Sequence, residues 1–233
     1  MESKVALVTA ASKGMGAAIA RELAARGWRL ALLARSEAVE GLAAELGALA
    51  IRGSVTEAPD LDRLVEGALA RFGRIDGVVV NTGHPAKGDL LALTDEDWRA
   101  GLDLLLLPTV RLARQVAPVM ARQGGGAFLN LTSAAALEPN LAFPISSALR
   151  AAMAGYTRLF ARRYAAQNLR MNSLLPGFVD SYEVSPEVLS TIPQGRPATV
   201  QEVARVAAFL LSDEAAYLNG VNLPFDGALS RGL

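Results

Sequence analysis

The chain of 233 residues alternates between short apolar runs and longer stretches with helical spacing of apolar positions. The short runs are apolar at nearly every position, which is typical of strands buried on both faces of a parallel sheet. Pro224 cannot donate a hydrogen bond to a neighbouring strand, so the last strand is expected at an edge of the sheet. The pattern predicts strands at Val5–Thr9, Leu30–Ala34, Leu49–Ile51, Gly77–Val80, Ala127–Leu131, Met171–Leu175 and Val221–Phe225.

Helices are predicted between these strands, near residues 14–26, 37–46, 60–72, 95–122, 145–167 and 200–211. This regular βαβα order predicts the α/β class: a single doubly wound parallel sheet with helices on both faces. The connection at residues 180–199 is rich in Pro, Ser and Gly and separates two regular segments. A connection of this length is expected to act as a mobile flap over a site.

Composition excludes several classes of function. The net charge of zero gives no reason to expect nucleic acid or an anionic membrane as a partner. The chain has no cysteine and one histidine, which excludes disulfides and thiolate catalysis, and we expect no metal site. The apolar segment Leu102–Leu107 is too short to span a membrane, and the start MESKVALVTA lacks the form of a signal peptide. We therefore expect a cytoplasmic protein.

A glycine-containing loop, TAASKGMG, follows the first strand and begins the first helix. Gly14 and Gly16 would let the backbone approach a pyrophosphate at the helix N-terminus, where free N–H groups attract anions. Lys13 lies in this loop, and Arg35 ends the second strand, where an acidic residue would bind the ribose of NAD. A 2′-phosphate suits this basic pair, so NADP(H) is favoured over NAD(H). The alternatives are a tight turn without ligand and, for Arg35, a solvated charge.

Four further segments follow in order: NTG at 81–83, LNLTSAA at 129–135, LPGFVDS at 175–181 and FLLSDEAAYLNGVNLPFDGAL at 209–229. Together with the glycine loop they resemble the short-chain dehydrogenase/reductase family over nearly the whole chain, although Ala10 replaces the usual first glycine. The resemblance implies a single NAD(P)-binding Rossmann-type domain over residues 1–233. It also implies a homo-oligomer, a tetramer or a dimer, formed through the two long central helices and the C-terminal segment.

The resemblance implies a set of cofactor-binding residues along these motifs. Ser181 stands where the family has a threonine that binds the nicotinamide carboxamide. The implied set is Thr9, Ser12, Lys13, Gly14, Met15, Gly16, Arg35, Asn81, Thr82, Gly83, Arg150, Pro176, Gly177, Val179 and Ser181.

The implied catalytic residues depart from the family pattern. The active-site serine falls on Ser133, and the family's Tyr-x-x-x-Lys falls on Ser146 and Arg150. The helix asparagine of the family aligns with Leu105. An aliphatic hydroxyl is a far weaker acid than a phenol, and an arginine keeps the positive charge of lysine but does not deprotonate. The expected catalytic set is Ser133, Ser146 and Arg150, with a rebuilt proton-transfer site.

Four groups could compensate for the missing tyrosine. Ser133 could orient a carbonyl and Ser146 could position a water. His84 titrates in the useful range, although it could be an ordinary loop residue, and Tyr182 in the flap could either move in or only pack. Tyr156 is expected in the core, nearly three turns beyond Ser146.

Three functions remain open from the sequence. The first is an NADP(H)-dependent oxidoreductase that acts on a small carbonyl or alcohol, or on an activated double bond. The second is an NADP(H)-binding or assembly module without turnover. The third is a lyase or isomerase that uses Arg150 to bind an anion.

Overall fold

The computed structural model describes residues 3–232 and contains one parallel sheet of seven strands. The strands are β1 (Val5–Thr9), β2 (Arg29–Ala34), β3 (Leu49–Arg52), β4 (Gly77–Val80), β5 (Gly126–Leu131), β6 (Leu169–Pro176) and β7 (Asn222–Phe225). Their order across the sheet is β3-β2-β1-β4-β5-β6-β7, and every neighbouring pair is parallel. The predicted doubly wound sheet is confirmed, and β7, which contains Pro224, lies at an edge as expected.

The helices are α1 (Gly14–Ala25), α2 (Ala38–Leu46), α3 (Ala58–Phe72), α4 (Asp95–Leu105), α5 (Leu107–Arg122), α6 (Pro144–Tyr164), α7 (Pro186–Leu189) and α8 (Val200–Leu211). The prediction of one helix over residues 95–122 is wrong, because the helix is interrupted at Leu106. Pro108 has no N–H and cannot donate to the carbonyl four residues before it, so the first helix ends and a second begins.

Each strand contributes side chains to two cores, one on each face of the sheet. Ala6 and Val8 of β1 pack with α1, α2 and α8, whereas Leu7 between them packs on the opposite face with α3, α5 and α6. This alternation follows from the two-residue period of a strand. It explains why β1 is apolar and buried along its whole length up to Thr9.

The strand order reverses between β1 and β4, so the loops that follow these strands diverge and leave a crevice at the carboxyl edge of the sheet. Loops after β2, β5 and β6 reach the same edge. The segment 180–199 begins and ends there: Val179 pairs with Ala198, and the Asp180 carboxylate accepts from the Val200 N–H at 2.8 Å. Between these points it contains only the short helix α7. The mobility expected for this flap stays a prediction.

Candidate functional site

The loop between β1 and α1 approaches the start of the helix closely. A Cβ at Gly16 would lie 2.3 Å from the carbonyl oxygen of Ala10, so only glycine fits there. Gly14 has a φ of +54°, and Ala10, where the family pattern has glycine, adopts a φ of +47°. No side chain caps the N-terminus of α1, and no acidic residue lies in its first turn. The loop therefore leaves the first amide groups of α1 able to bind an anion.

Two cations flank this helix end. The loop lies beside the end of β2, since the Ala11 N–H donates to the Leu33 carbonyl at 3.1 Å. Arg35 follows directly, exposed, as is Lys13. Within residues 3–232 neither side chain forms an ion pair, and no carboxylate ends β2. The surroundings of the loop thus suit a phosphate-rich ligand.

Thr9 and Asn81 join the loops that follow β1 and β4. The Thr9 hydroxyl donates to the Asn81 carbonyl at 2.7 Å, and it accepts from the Asn81 N–H at 3.0 Å. The Asn81 side chain donates to the Ala10 carbonyl at 3.4 Å. These bonds fix the crevice, with the half-buried Thr82 and Gly83 next along it.

The segment after β6 closes the other side of the crevice. The Gly177 N–H donates to the Phe225 carbonyl at 3.1 Å, and a Cβ at Gly177 would lie 2.9 Å from that of Asp226. A Cβ at Gly14 would lie 3.3 Å from the Ser181 Cβ. Ser181 is therefore beside the β1–α1 loop, as its expected role requires. Of the other predicted residues in these segments, Pro176 and Val179 are buried, and Ser12 and Met15 are half-buried.

Ser133 follows β5 and begins a single turn of 3₁₀ helix, Ala134–Ala136. Its hydroxyl oxygen accepts from the Ala135 N–H at 3.3 Å, and the side chain is half-buried. Because the oxygen is engaged as an acceptor, the hydroxyl proton is available to donate to a bound carbonyl. Leu105, at the position of the family's helix asparagine, is buried and apolar.

Ser146 and Arg150 lie one turn apart on α6, as the sequence predicts, and contact each other directly. The Arg150 Nε donates to the Ser146 Oγ at 3.0 Å, and a terminal nitrogen of Arg150 donates to the Leu131 carbonyl at 3.0 Å. Both side chains are buried, with exposed fractions of 9% for Ser146 and 7% for Arg150. Burial lowers the pKa of Arg150 to about 10, so it stays charged at neutral pH.

A buried chain of hydrogen bonds holds α6 against β5. The Thr109 hydroxyl of α5 donates to the Asn130 Oδ1 at 2.9 Å, and the Asn130 Nδ2 donates to the Thr157 hydroxyl at 3.1 Å. Thr157 contacts the Ser173 hydroxyl at 2.9 Å. Every member has a partner, so the network rigidly positions the strand that precedes Ser133 and the helix that carries Ser146.

His84 lies beside Ser146 in a small pocket. The pocket is lined by His84, Pro85, Ala86, Lys87, Phe143 and Ser146. Desolvation lowers the pKa of His84, and the positive charges of Arg150 and Lys87 lower it further. The ring of Tyr182 meets the His84 ring edge-on at 6.5 Å between centroids. Two of the groups proposed to replace the tyrosine, His84 and Ser146, are thus brought together.

Sequence reasoning did not identify Lys87 or Phe143 as site residues. The Lys87 ammonium lies 4.7 Å from the centre of the Phe143 ring. The available signal was that Lys87 follows His84 in a loop that leaves the carboxyl end of a strand. Tyr156 packs against the core, as expected, and burial raises its pKa. No group of three or more metal-binding side chains occurs within residues 3–232.

Solved structures with a closely similar fold include L-sorbose reductase from Gluconobacter frateurii, determined in complex with NADPH and L-sorbose. The two chains superpose with a TM-score of 0.91 at 28% identity, over 100% of this chain and 98% of the other.

Sequence relatives agree with this structural likeness. A family described as Enoyl-(Acyl carrier protein) reductase matches residues 9–230. The chain is 32% identical to the 3-oxoacyl-[acyl-carrier-protein] reductase FabG of Escherichia coli (strain K12) over 238 residues, covering 98% of each chain. It is 33% identical to the 3-oxoacyl-[acyl-carrier-protein] reductase of Synechocystis sp. over 242 residues, again with 98% of each covered. The chain belongs to the short-chain dehydrogenase/reductase family.

Proposed function

We propose that this protein is an NADP(H)-dependent oxidoreductase that transfers a hydride to or from a small carbonyl or alcohol. The observation that carries the proposal is the uncapped amide end of α1 between two cations, Lys13 and Arg35, that have no ion-pair partner within residues 3–232. A related structure, L-sorbose reductase, holds NADPH, and the relatives named above are reductases. Residues 1–233 would act as one NAD(P)-binding domain.

The residues of the crevice fit this cofactor. The space at Gly16 admits backbone but no side chain, which is what a pyrophosphate close to a helix N-terminus requires. Arg35 would bind the 2′-phosphate, and Asn81 to Gly83 would border the adenosine side. Ser181 would hold the carboxamide. NADP(H) supplies or accepts the hydride when it is bound; the protein orients the reacting carbon and stabilises its oxygen.

The proton-transfer site is rebuilt in this proposal, with Ser146 and Arg150 standing for the family's tyrosine and lysine. Ser133 donates to the carbonyl oxygen. Ser146, whose oxygen is held by Arg150, presents its proton to the pocket. His84 neighbours Ser146 and relays a proton from solvent, because its side chain is exposed on one side. Loss of a well-placed general acid costs about 10²–10⁴-fold in rate, so we expect slow turnover.

Replacing Arg35 tests the cofactor assignment. Arg35→Asp removes a charged hydrogen bond and repels a phosphate, so we expect NADPH to bind roughly tenfold to a hundredfold more weakly while NADH binding is retained. Arg205→Asp makes the same charge change at an exposed arginine of α8 and should leave the fluorescence titration of NADPH unchanged. Equal affinity for NADPH in all three proteins would contradict the assignment.

Turnover separates the remaining alternatives. NADPH consumption with a panel of carbonyl compounds, abolished by Ser133→Ala, would exclude the binding or assembly module. Tight binding without any consumption would support that module. Conversion of a substrate with no nicotinamide present would instead favour a lyase or isomerase.

We further propose a homo-oligomer, either a dimer or a tetramer, in the cytoplasm. Half-exposed leucines on the α4–α5 segment support an interface there: Leu102, Leu104, Leu106 and Leu107. The names of the related reductases describe substrates that are small molecules, such as L-sorbose, or acyl groups bound to a carrier protein.

A further inference from the structure

Positive charge converges on the pocket beside Ser146 without a carboxylate to balance it. Lys87 lines the pocket directly, and Arg150 lies immediately behind the Ser146 hydroxyl. The start of α6, at Phe143, has no side-chain cap, so the positive end of a long helix dipole also faces this region. The described residues that line the pocket include no Asp or Glu.

The hydrogen bonds of Arg150 do not neutralise its positive charge. A guanidinium has five N–H donors, and Arg150 uses one on the Ser146 hydroxyl and one on the Leu131 carbonyl. Both acceptors are neutral, and the other three donors have no partner among the described residues. A buried cation without a counter-ion is costly, so such a group is retained where an anion neutralises it.

Arg170 is a second buried arginine of this chain, and its hydrogen bonds differ from those of Arg150. It is also buried, but it donates to three backbone carbonyls, those of Leu210, Ser212 and Leu218. These hydrogen bonds connect β6 to the end of α8 and the turn that follows it. Arg150 has no such set of backbone acceptors. Its side chain contacts Ser146, which lines a pocket that opens to solvent.

We propose that this pocket binds the carboxylate of an oxo acid, or of the corresponding hydroxy acid in the reverse direction. The Lys87 ammonium would pair with the carboxylate, which would also lie in the positive field of Arg150, while the Ser146 hydroxyl stays available for the carbonyl oxygen. Arg150 acts as a positioning residue, since it touches the substrate only through Ser146.

This inference rests on the proposed oxidoreductase function and names its substrate class. The carbonyl carbon gains a hydride and its oxygen a proton, so an oxo acid with NADPH and a proton yields a hydroxy acid and NADP⁺. The carboxylate is unchanged and serves only for recognition. A neutral ester of the same acid would lack the charge that the pocket recognises.

His84 provides a readout that needs neither cofactor nor turnover. It is the only histidine of the chain, so its imidazole gives a single set of NMR signals. It faces Arg150 and Lys87, which lower its pKa, the Ser146 hydroxyl and the Tyr182 ring. A carboxylate bound between these cations would raise the pKa of His84, because an opposite charge favours the protonated form.

The experiment titrates acetoacetate or pyruvate, and their methyl esters, into the protein without NADPH. We expect the acids, but not the esters, to shift the His84 signals saturably and to raise its pKa. Lys87→Met should weaken the acid's affinity roughly tenfold or more, and Lys87→Arg should restore most of it. Lys4→Met, which removes an exposed lysine paired with Asp213, is the matched control and should bind as the wild type does.

Equal responses to acid and ester, no response at high millimolar concentration, or unchanged acid binding in Lys87→Met would each overturn the proposal. Failure of the proposed function has a different signature, namely absence of NADPH binding in the fluorescence titration. If both sites bind, the ratio of kcat/KM for acid over ester should exceed one and should fall in Lys87→Met. A ratio of one or less would again contradict a carboxylate site.

Discussion

At the scale of single residues, the buried charge of Arg150 lowers the stability of the folded state. Burial lowers the pKa of Arg150 to about 10, well below that of a free guanidinium, which corresponds to about 3 kcal/mol of disfavoured charge in the folded state. Below pH 10 the side chain is protonated in both the folded and the unfolded state, so this cost does not vary with pH. Stability would rise only above pH 10, where the folded state releases the proton first. The cost of this buried charge is therefore measured by substitution of Arg150 rather than by a pH titration.

Arg150→Met should raise the free energy of unfolding by about 1–3 kcal/mol, because a linear apolar side chain removes the buried charge while it fills similar space. Arg170→Met is the matched control and should lower it by about 1–3 kcal/mol, since three carbonyls lose their donor. Urea denaturation at neutral pH measures both. Equal destabilisation by the two substitutions would mean that Arg150 is structural.

The sequence predicted the positions of these residues better than their partners. Spacing placed Ser146 and Arg150 on one helical face, and the motif placed Ser133 near them. The hydrogen bond from Arg150 to the Leu131 carbonyl could not be foreseen, because it depends on how α6 packs against β5. Lys87 was missed for a related reason: its position is set by the path of an irregular loop and by contact with Phe143.

At the scale of elements, the strands were predicted to within two residues at each end, because burial on both faces leaves an unmistakable apolar run. Helix positions were predicted nearly as well. The break at Leu106 was missed because apolar residues continue through it, although Pro108 marked the place. The short helix α7 has only four residues, too few for a periodic pattern. Local sequence thus determines regular elements, whereas breaks depend on single backbone groups.

The β1–α1 loop carries a strained position that can be relieved. Ala10 adopts a φ of +47°, a conformation that costs a residue with a Cβ roughly 1–2 kcal/mol. Ala10→Gly removes that cost but gains unfolded-state entropy, so thermal denaturation should show a net stabilisation of about 0.5–1 kcal/mol. Ala24→Gly, inside α1, should instead destabilise by about 1 kcal/mol. Destabilisation by both changes would show that the loop conformation is not strained.

At the scale of the whole molecule, the α4–α5 segment leaves several leucines partly exposed. The segment Asp95–Arg122 is long and apolar enough to cross a membrane by length and composition alone, with a mean hydropathy of 1.2 in its most apolar window and 44% of that window buried. This is weak support for a membrane span, because core helices of soluble proteins share these properties and the segment is interrupted at Leu106. Leu159 on the neighbouring α6 is 69% exposed. Association of two copies would cover these side chains.

Light scattering should therefore report a dimer or a tetramer at micromolar concentration. Leu102→Glu together with Leu106→Glu should shift the distribution toward smaller species, because a charge in an apolar interface is costly to bury. Leu91→Glu, at a side chain that is 93% exposed in a loop, is the control and should not change the mass. A wild-type mass equal to one chain at every concentration would refute the oligomer.

The pairing of Val179 with Ala198 makes the segment between them a closed excursion from the rest of the chain. Its two ends are joined by backbone hydrogen bonds, so its length and composition can change without altering the register of any strand. Substrate preference could therefore change by exchange of residues 183–197, while Ser181 beside the β1–α1 loop and the catalytic helix stay the same. A graft of the corresponding segment from a relative would need to match the distance between those two anchor residues, keep Ser181, and keep the hydrogen bond from the Gln194 N–H to the Gly227 carbonyl.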